Sequence, residues 1–216
     1  MTAPITVGFD LDLTLVDSRP GIAATYRALT ERTGVYIDAE AASRRLGPPL
    51  DVELALWFPP DEVEIAGEMY RQLYPRTAVE TSPALPGVAP ALAAVRARLG
   101  RVIVITGKYE PNARLHLTHL GLAADAVVGW AWADGKVEAM LEHGVGVYVG
   151  DHPADMAAAR GAGATAVGVL TGDYPAEQLV ESGAHVVLPD LTGFPAWLDG
   201  HLGDQRMSVG LAGRDR

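Results

Sequence analysis

Residues 9 to 18 read Phe-Asp-Leu-Asp-Leu-Thr-Leu-Val-Asp-Ser. In an extended chain residues two apart face the same way, so Asp10, Asp12 and Thr14 project together while Phe9, Leu11, Leu13 and Leu15 pack behind them. Two adjacent carboxylates repel each other and are costly to desolvate unless a proton or cation lies between them. Acids emerging directly from an apolar strand are poorly explained as a solvated turn. The pattern points to a divalent metal and to acid chemistry at the end of the opening strand.

Three further segments carry groups of complementary chemistry. Val104-Ile105-Thr106-Gly107 ends an apolar run in a hydroxyl and a glycine whose amide can approach an anion; alone it would read as a strand-ending turn. Lys136 stands in Ala-Asp-Gly-Lys at a helix start. It is one of only two lysines among 17 basic residues, and a compact ammonium is not interchangeable with a guanidinium beside phosphoryl or carboxylate oxygens. Val149-Gly150-Asp151-His152-Pro153-Ala154-Asp155 is a strand end with two acids four apart, which could serve equally as helix cap and first-turn acid.

Other polar and aromatic residues carry less. Lys108 reads as well as a solvent-facing lysine as a substrate contact. His116 and His119, three apart on a helix, lack further ligands and read as a surface pair. His152 is a pocket candidate. Trp130 and Trp132 read as packing groups, and Arg44 and Arg45 as an exposed helix face that could also reach a substrate carboxylate.

The elements that must position these groups alternate. Val- and Ile-rich runs at 5–9, 102–105, 145–149 and 165–170, with weaker ones at 126–128 and 185–188, read as strands. Helical periodicity lies between them, as in Val88, Leu92, Val95 and Leu99. This spacing predicts an α/β fold with a doubly wound parallel sheet, in which ligands bind beyond the carboxyl ends of the strands. Residues 20–76 break the alternation with helical signals alone, bordered by Pro/Gly-rich segments. The expected division is a core of 1–17 and 84–202, a helical insert of 18–83 and a disordered tail of 203–216.

Composition narrows the classes. At 216 residues the chain holds one good core plus a smaller unit. No apolar run approaches the ~18 residues of a membrane span, and the opening residues lack a secretory pattern, so no membrane partner and a cytoplasmic location are expected. A net charge of -10 argues against a nucleic-acid partner, while a metal and a few cations can still admit a small anion. Cysteine is absent, which removes disulfides, thiolate metal sites and cysteine nucleophiles.

The four segments, in this order and with this insert, resemble the haloacid dehalogenase (HAD) superfamily phosphatases with a small helical cap, and among them the phosphoglycolate phosphatase-like proteins, whose substrate-contacting loop is similar to Leu46-Gly47-Pro48-Pro49-Leu50. The resemblance covers nearly the whole chain. It implies that Asp10 is the nucleophile forming an aspartyl-phosphate, and that Asp12 is general acid and base, with a pKa raised in the closed pocket while Asp10 stays ionised on the metal. It implies Mg2+ held by Asp10, the backbone carbonyl of Asp12 and Asp151, with Asp155 and Thr14 behind them. Thr106 and Gly107 would hold phosphoryl oxygens, and Lys136 would offset their charge.

The implied partner is a small phosphorylated metabolite, phosphoglycolate leading, and the implied state a monomer or homodimer. Two departures stand out: Leu13 occupies a glycine position, and Val137 replaces a proline after Lys136. Asp12 argues against dehalogenation, and the absence of lysine from 18–85 argues against a cap-borne Schiff base. A β-phosphoglucomutase-like phosphotransferase retains every motif, and a non-catalytic phosphate-binding module is a further alternative.

Overall fold

The computed structural model describes residues 4–212, with side chains up to residue 203. After β1 (Thr6–Phe9) come four helices: α1 (Arg19–Thr33), α2 (Ala39–Arg44), α3 (Leu50–Leu54) and α4 (Val63–Thr77). Helix and strand then alternate through α5 (Val88–Arg96), β2 (Arg101–Ile105), α6 (Glu110–His119), β3 (Ala126–Val128), α7 (Asp134–His143), β4 (Val147–Gly150), α8 (Pro153–Gly161), β5 (Thr165–Val169), α9 (Ala176–Glu181) and β6 (Val186–Leu188). Helix α10 (Phe194–Ala212) closes the described chain.

The strands form one parallel sheet in the order β3-β2-β1-β4-β5-β6. Side chains alternate between two apolar layers, as the pleat requires. Val7, Phe9, Val102, Val104, Val147 and Val149 face one layer, completed by α5 and α10. Ile103, Ile105 and Tyr148 face the other, completed by α7, α8 and α9. The expected α/β architecture is therefore present. Strand order reverses at β1, which pairs with β2 on one side and β4 on the other. That is where an open α/β sheet leaves a crevice.

Helices α1 to α4 form a separate body around their own apolar cluster, including Ile22, Tyr26, Leu29, Leu54, Tyr70 and Tyr74. Helix α1 starts with Pro20 in its first turn, where a missing amide is harmless, and ends at Gly34 in the left-handed conformation, φ 73°. The chain crosses between the bodies twice, side by side. Val16 and Ala84 form an antiparallel bridge, Asp17 N–H donates to the Pro83 carbonyl at 2.9 Å, and Leu85 N–H to that of Leu15 at 3.0 Å.

Helix α10 carries the backbone to Ala212, through most of the segment expected to be disordered from 203; residues 213–216 lie outside the described ones. No helix among the described residues is long and apolar enough to cross a membrane.

Leu13 adopts φ 56°, so this leucine takes up the positive-φ backbone that glycine would favour. The side chain is buried, its N–H donates to the Val16 carbonyl at 2.8 Å, and its carbonyl accepts from the Thr171 hydroxyl. The left-handed conformation costs about 1–2 kcal/mol, whereas removing a buried leucine costs about 2–5 kcal/mol. Leu13→Gly is expected to lose net stability, by about 1–3 kcal/mol in urea unfolding, despite relieving the backbone.

Candidate active site

The ends of β1 and β4 bring together Asp10, Asp151 and Asp155, buried carboxylates with oxygens within 4.8 Å of one another. Lys136, in the first turn of α7, is buried against them. Its Nζ donates to Asp10 Oδ1 at 2.9 Å and to Asp155 Oδ1 at 2.5 Å. Asp155 Oδ2 also accepts the His152 amide at 3.2 Å, half of a capping box at the start of α8, so its capping and charge-pairing roles coexist. Thr14 donates to Asp151 Oδ1 at 3.1 Å.

Two glycines make this density of charge possible. A Cβ on Gly150 would sit 2.3 Å from Asp155 Oδ2, and one on Gly172 would sit 2.1 Å from Asp151 Oδ2. Any side chain there displaces a carboxylate.

Charge in the cluster is unbalanced. Burial, opposed by Lys136 but reinforced by Asp155 and Asp12, pushes Asp10 up to about 7. Burial and the neighbouring Asp10 and Asp155 raise Asp151 well above the usual carboxylate range. Burial disfavours the Lys136 ammonium, but Asp10 and Asp155 hold it protonated well beyond an ordinary lysine. Three acids around one ammonium are the setting in which a divalent cation is favoured. Both Asp155 oxygens are already engaged, which leaves Asp10 and Asp151 better placed to donate to a metal.

Asp12 has different company. Lys108 Nζ lies 3.0 Å from Asp12 Oδ1 and donates to the Tyr74 hydroxyl of α4 at 2.8 Å. Tyr74 Oη is in turn 2.8 Å from His116 Nε2. Since an ammonium only donates, the phenol accepts from Lys108 and directs its proton to His116. Burial and the Lys108 charge depress His116 to about 4, consistent with a neutral acceptor ring.

One expectation is corrected here. His116 is fully buried rather than half of a surface pair, because Tyr74 from the insert covers it. Of the two even readings of Lys108, the structure excludes the solvent-facing one, since its side chain is buried and lines the cavity; its rarity in the sequence was the available signal. Burial would raise Asp12, but the Lys108 ammonium overrides it and holds the carboxyl below its usual value. Without a metal ion, then, Asp10 holds its proton more readily than Asp12.

Asp10, Asp12, Thr106, Gly107, Lys136, Asp151 and Asp155 all line one cavity of about 680 Å³ between the sheet ends and the insert. The Thr106 hydroxyl accepts the Lys108 amide at 3.2 Å. The loop at Gly47 reaches down to His152 and Trp132, whose atoms would lie 2.9 and 3.0 Å from a Cβ there. His152 is further fixed by Tyr174 Oη at 2.9 Å. Arg45 makes a bidentate pair with Glu53 at 2.9 and 2.6 Å, so its charge is already answered, and Arg44 is exposed. Trp132 packs on His152, with centroids 5.2 Å apart, as a packing group should; Trp130 is exposed instead.

Fold and site together define a hydrolase class. The family model for haloacid dehalogenase-like hydrolases matches residues 7–160, and the chain belongs to that family. Phosphoglycolate phosphatase of Rhodospirillum rubrum is 32% identical over 220 residues, covering 90% of this chain and 91% of the relative. Tyrosine-protein kinase PtkA of Mycobacterium tuberculosis is 33% identical over 176 residues, 74% of this chain; the match spans 60% of the kinase's length. Among solved structures, a haloacid dehalogenase-like family hydrolase from Streptococcus pneumoniae superposes with a TM-score of 0.78 at 23% identity, covering 91% of this chain and 100% of that one. A hydrolase from Pseudomonas syringae gives 0.72 at 24%, covering 91% and 98%.

The raised Asp10 pKa makes a prediction about stability without metal. A carboxyl whose folded pKa lies above its unfolded one binds more protons when folded, so stability falls as pH rises from about 4 to about 7. In EDTA, Asp10→Asn is expected to raise the thermal midpoint at pH 8 by more than at pH 4, as read by calorimetry. Equal shifts at both pH values would contradict the assignment.

Proposed function

We propose that this chain is a Mg2+-dependent hydrolase of small phosphate monoesters that works through an aspartyl-phosphate on Asp10. The observation carrying this reading is the cluster of buried Asp10, Asp151 and Asp155 around Lys136, open to a cavity large enough for a metabolite. In the same reading, residues 18–83 form the cap and 1–17 with 84–202 the catalytic core.

Asp10 attacks phosphorus in line while Lys136 and the Thr106 and Gly107 groups hold phosphoryl oxygens. Asp10, the Asp12 backbone carbonyl and Asp151 would hold Mg2+, which supplies charge neutralisation and orientation when bound. Asp155 fixes Lys136, and Thr14 fixes Asp151. Asp12 protonates the leaving oxygen and then takes a proton from water. Its depressed pKa keeps it ionised and able to accept a proton in the second task, at the cost of basicity. For the first, an arriving phosphate dianion opposes ionisation of Asp12 and competes for the Lys108 ammonium, which moves the carboxyl toward its acid form.

Phosphoglycolate is the leading substrate, on the cap-loop resemblance and the R. rubrum relative. The PtkA relatives favour a second reading, in which the phosphoenzyme passes phosphate to an acceptor hydroxyl rather than to water. Both share the first half-reaction, and phosphoenzyme lifetime with and without acceptor separates them.

Three measurements test the proposal. A phosphate-release screen with Mg2+ over phosphoglycolate, sugar phosphates, nucleotides and pyrophosphate is expected to identify a preferred monoester. Asp10→Asn is expected to lower turnover at least about a thousandfold, and EDTA to abolish it; activity unchanged in either case overturns the mechanism. Because bound carboxylates must be deprotonated, Mg2+ is expected to raise the thermal midpoint more at pH 8 than at pH 5.

A further inference from the structure

The outer end of the cavity carries three planar groups that the chemistry above does not use. Trp130, between β3 and α7, is 65% exposed, and Tyr109, at the start of α6, is 36% exposed. Their ring centroids lie 5.5 Å apart at 40°. From the insert, Arg71 on α4 places its guanidinium carbon 5.9 Å from the Trp130 centroid and 6.0 Å from that of Tyr109. All three line the cavity. Arg45 in the same cavity is neutralised by Glu53, whereas among the described residues no carboxylate pairs with Arg71.

The backbone that carries Trp130 is fixed. Trp130 N–H donates to the Lys108 carbonyl at 2.9 Å, and Ala131 N–H to that of Thr106 at 2.9 Å. Gly129 lies so close to Glu110 that a Cβ would fall 2.5 Å from its amide nitrogen. Trp130 itself has φ 56°, a region disfavoured for any residue but glycine. Its ring gains little burial in return, and backbone outliers of this kind cluster at ligand sites.

The position of the platform relative to the acids is also defined. Tyr109 follows Lys108, whose ammonium lies on Asp12, and Arg71 stands about one helical turn before Tyr74, which holds the same ammonium. Tyr109 and Arg71 therefore stand on the segments that supply the partners of Asp12, and the platform lines the same cavity as that carboxylate. The cavity, about 680 Å³, falls within the usual range for organic ligands of drug size, about 300–1,000 Å³. A two-carbon ester fills a small part of it.

Indole, phenol and guanidinium share one preference, for the face of another planar group. A ring between Arg71 and the aromatic pair needs roughly 3.5–4 Å on each side, somewhat more than the present 6 Å gap, and the long arginine stem can supply the difference. We propose that Trp130, Tyr109 and Arg71 form a leaving-group subsite for a planar aromatic ring, so that the substrates include phosphate monoesters of aromatic alcohols or nucleosides. The proposal rests on the hydrolase reading and adds a substrate class to it.

The test measures kcat/KM with Mg2+ for O-phosphotyrosine, adenosine 5′-monophosphate and phosphoglycolate, in the unmodified chain and in Trp130→Ala and Arg71→Met. The first two substrates distinguish a phenol from a nucleobase as the ring. At least one aromatic ester is expected to lose about tenfold more than phosphoglycolate in each variant, the size of one lost stacking face. Equal losses on all three esters, or release from phosphoglycolate with none from either aromatic ester, overturn the subsite and leave the hydrolase reading standing. Release from none of the three by the unmodified chain, while another monoester of the screen is cleaved, also overturns the subsite alone. Release from no monoester at all overturns both.

Discussion

Three buried carboxylates share one buried ammonium at the end of β1 and β4, and the site depends on that imbalance. Left alone, such a cluster is costly, because desolvation and mutual repulsion both oppose ionisation. The fold sustains it with fixed dipoles and space: the Thr14 hydroxyl on Asp151, the His152 amide on Asp155, and two positions without a Cβ. Lys136 is the one charge that touches two of the acids at once. The residual negative potential favours a cation, and under the proposed function a cation would in turn make room for an anionic phosphoryl group in a chain of net charge -10.

The surrounding architecture supplies rigidity on one side and closure on the other. The sheet presents Asp10 from a strand buried on both faces and paired on both edges, so the position of this carboxylate is set by the core. The helical insert, with a separate apolar cluster, meets that surface through polar contacts: Tyr74 on Lys108 and His116, and the Gly47 loop over His152 and Trp132. Acid chemistry thus comes from the sheet, while the space for a leaving group is enclosed jointly.

Most of the frame was legible in the sequence because it rests on local periodicity. Alternating strands and helices, the helical interruption and the acids at strand ends need no knowledge of distant contacts. What was not legible is pairing across the two bodies. Nothing local to Lys108 or His116 announces that Tyr74, more than thirty residues upstream, covers both. The same contact sets the acidity of Asp12, since a pKa depends on neighbours in space. Trp130 was misjudged for a related reason: its exposure follows from a backbone conformation with φ 56° that the residue type disfavours.

Lys108 also links the mobility of one body to the reactivity of the other. Its ammonium is held at once by a phenol of the insert and a carboxylate of the core, in a dry environment where such attraction is little screened. Separating the bodies would strip away the phenol, admit water and reduce the remaining contact to a solvated ion pair, of the kind worth about 0–1 kcal/mol. Asp12 would then relax toward the proton affinity of a free aspartate. Through this one contact the position of the insert and the acid strength of Asp12 are coupled, so that a motion of the insert would be felt electrostatically at that carboxyl before any ligand is touched.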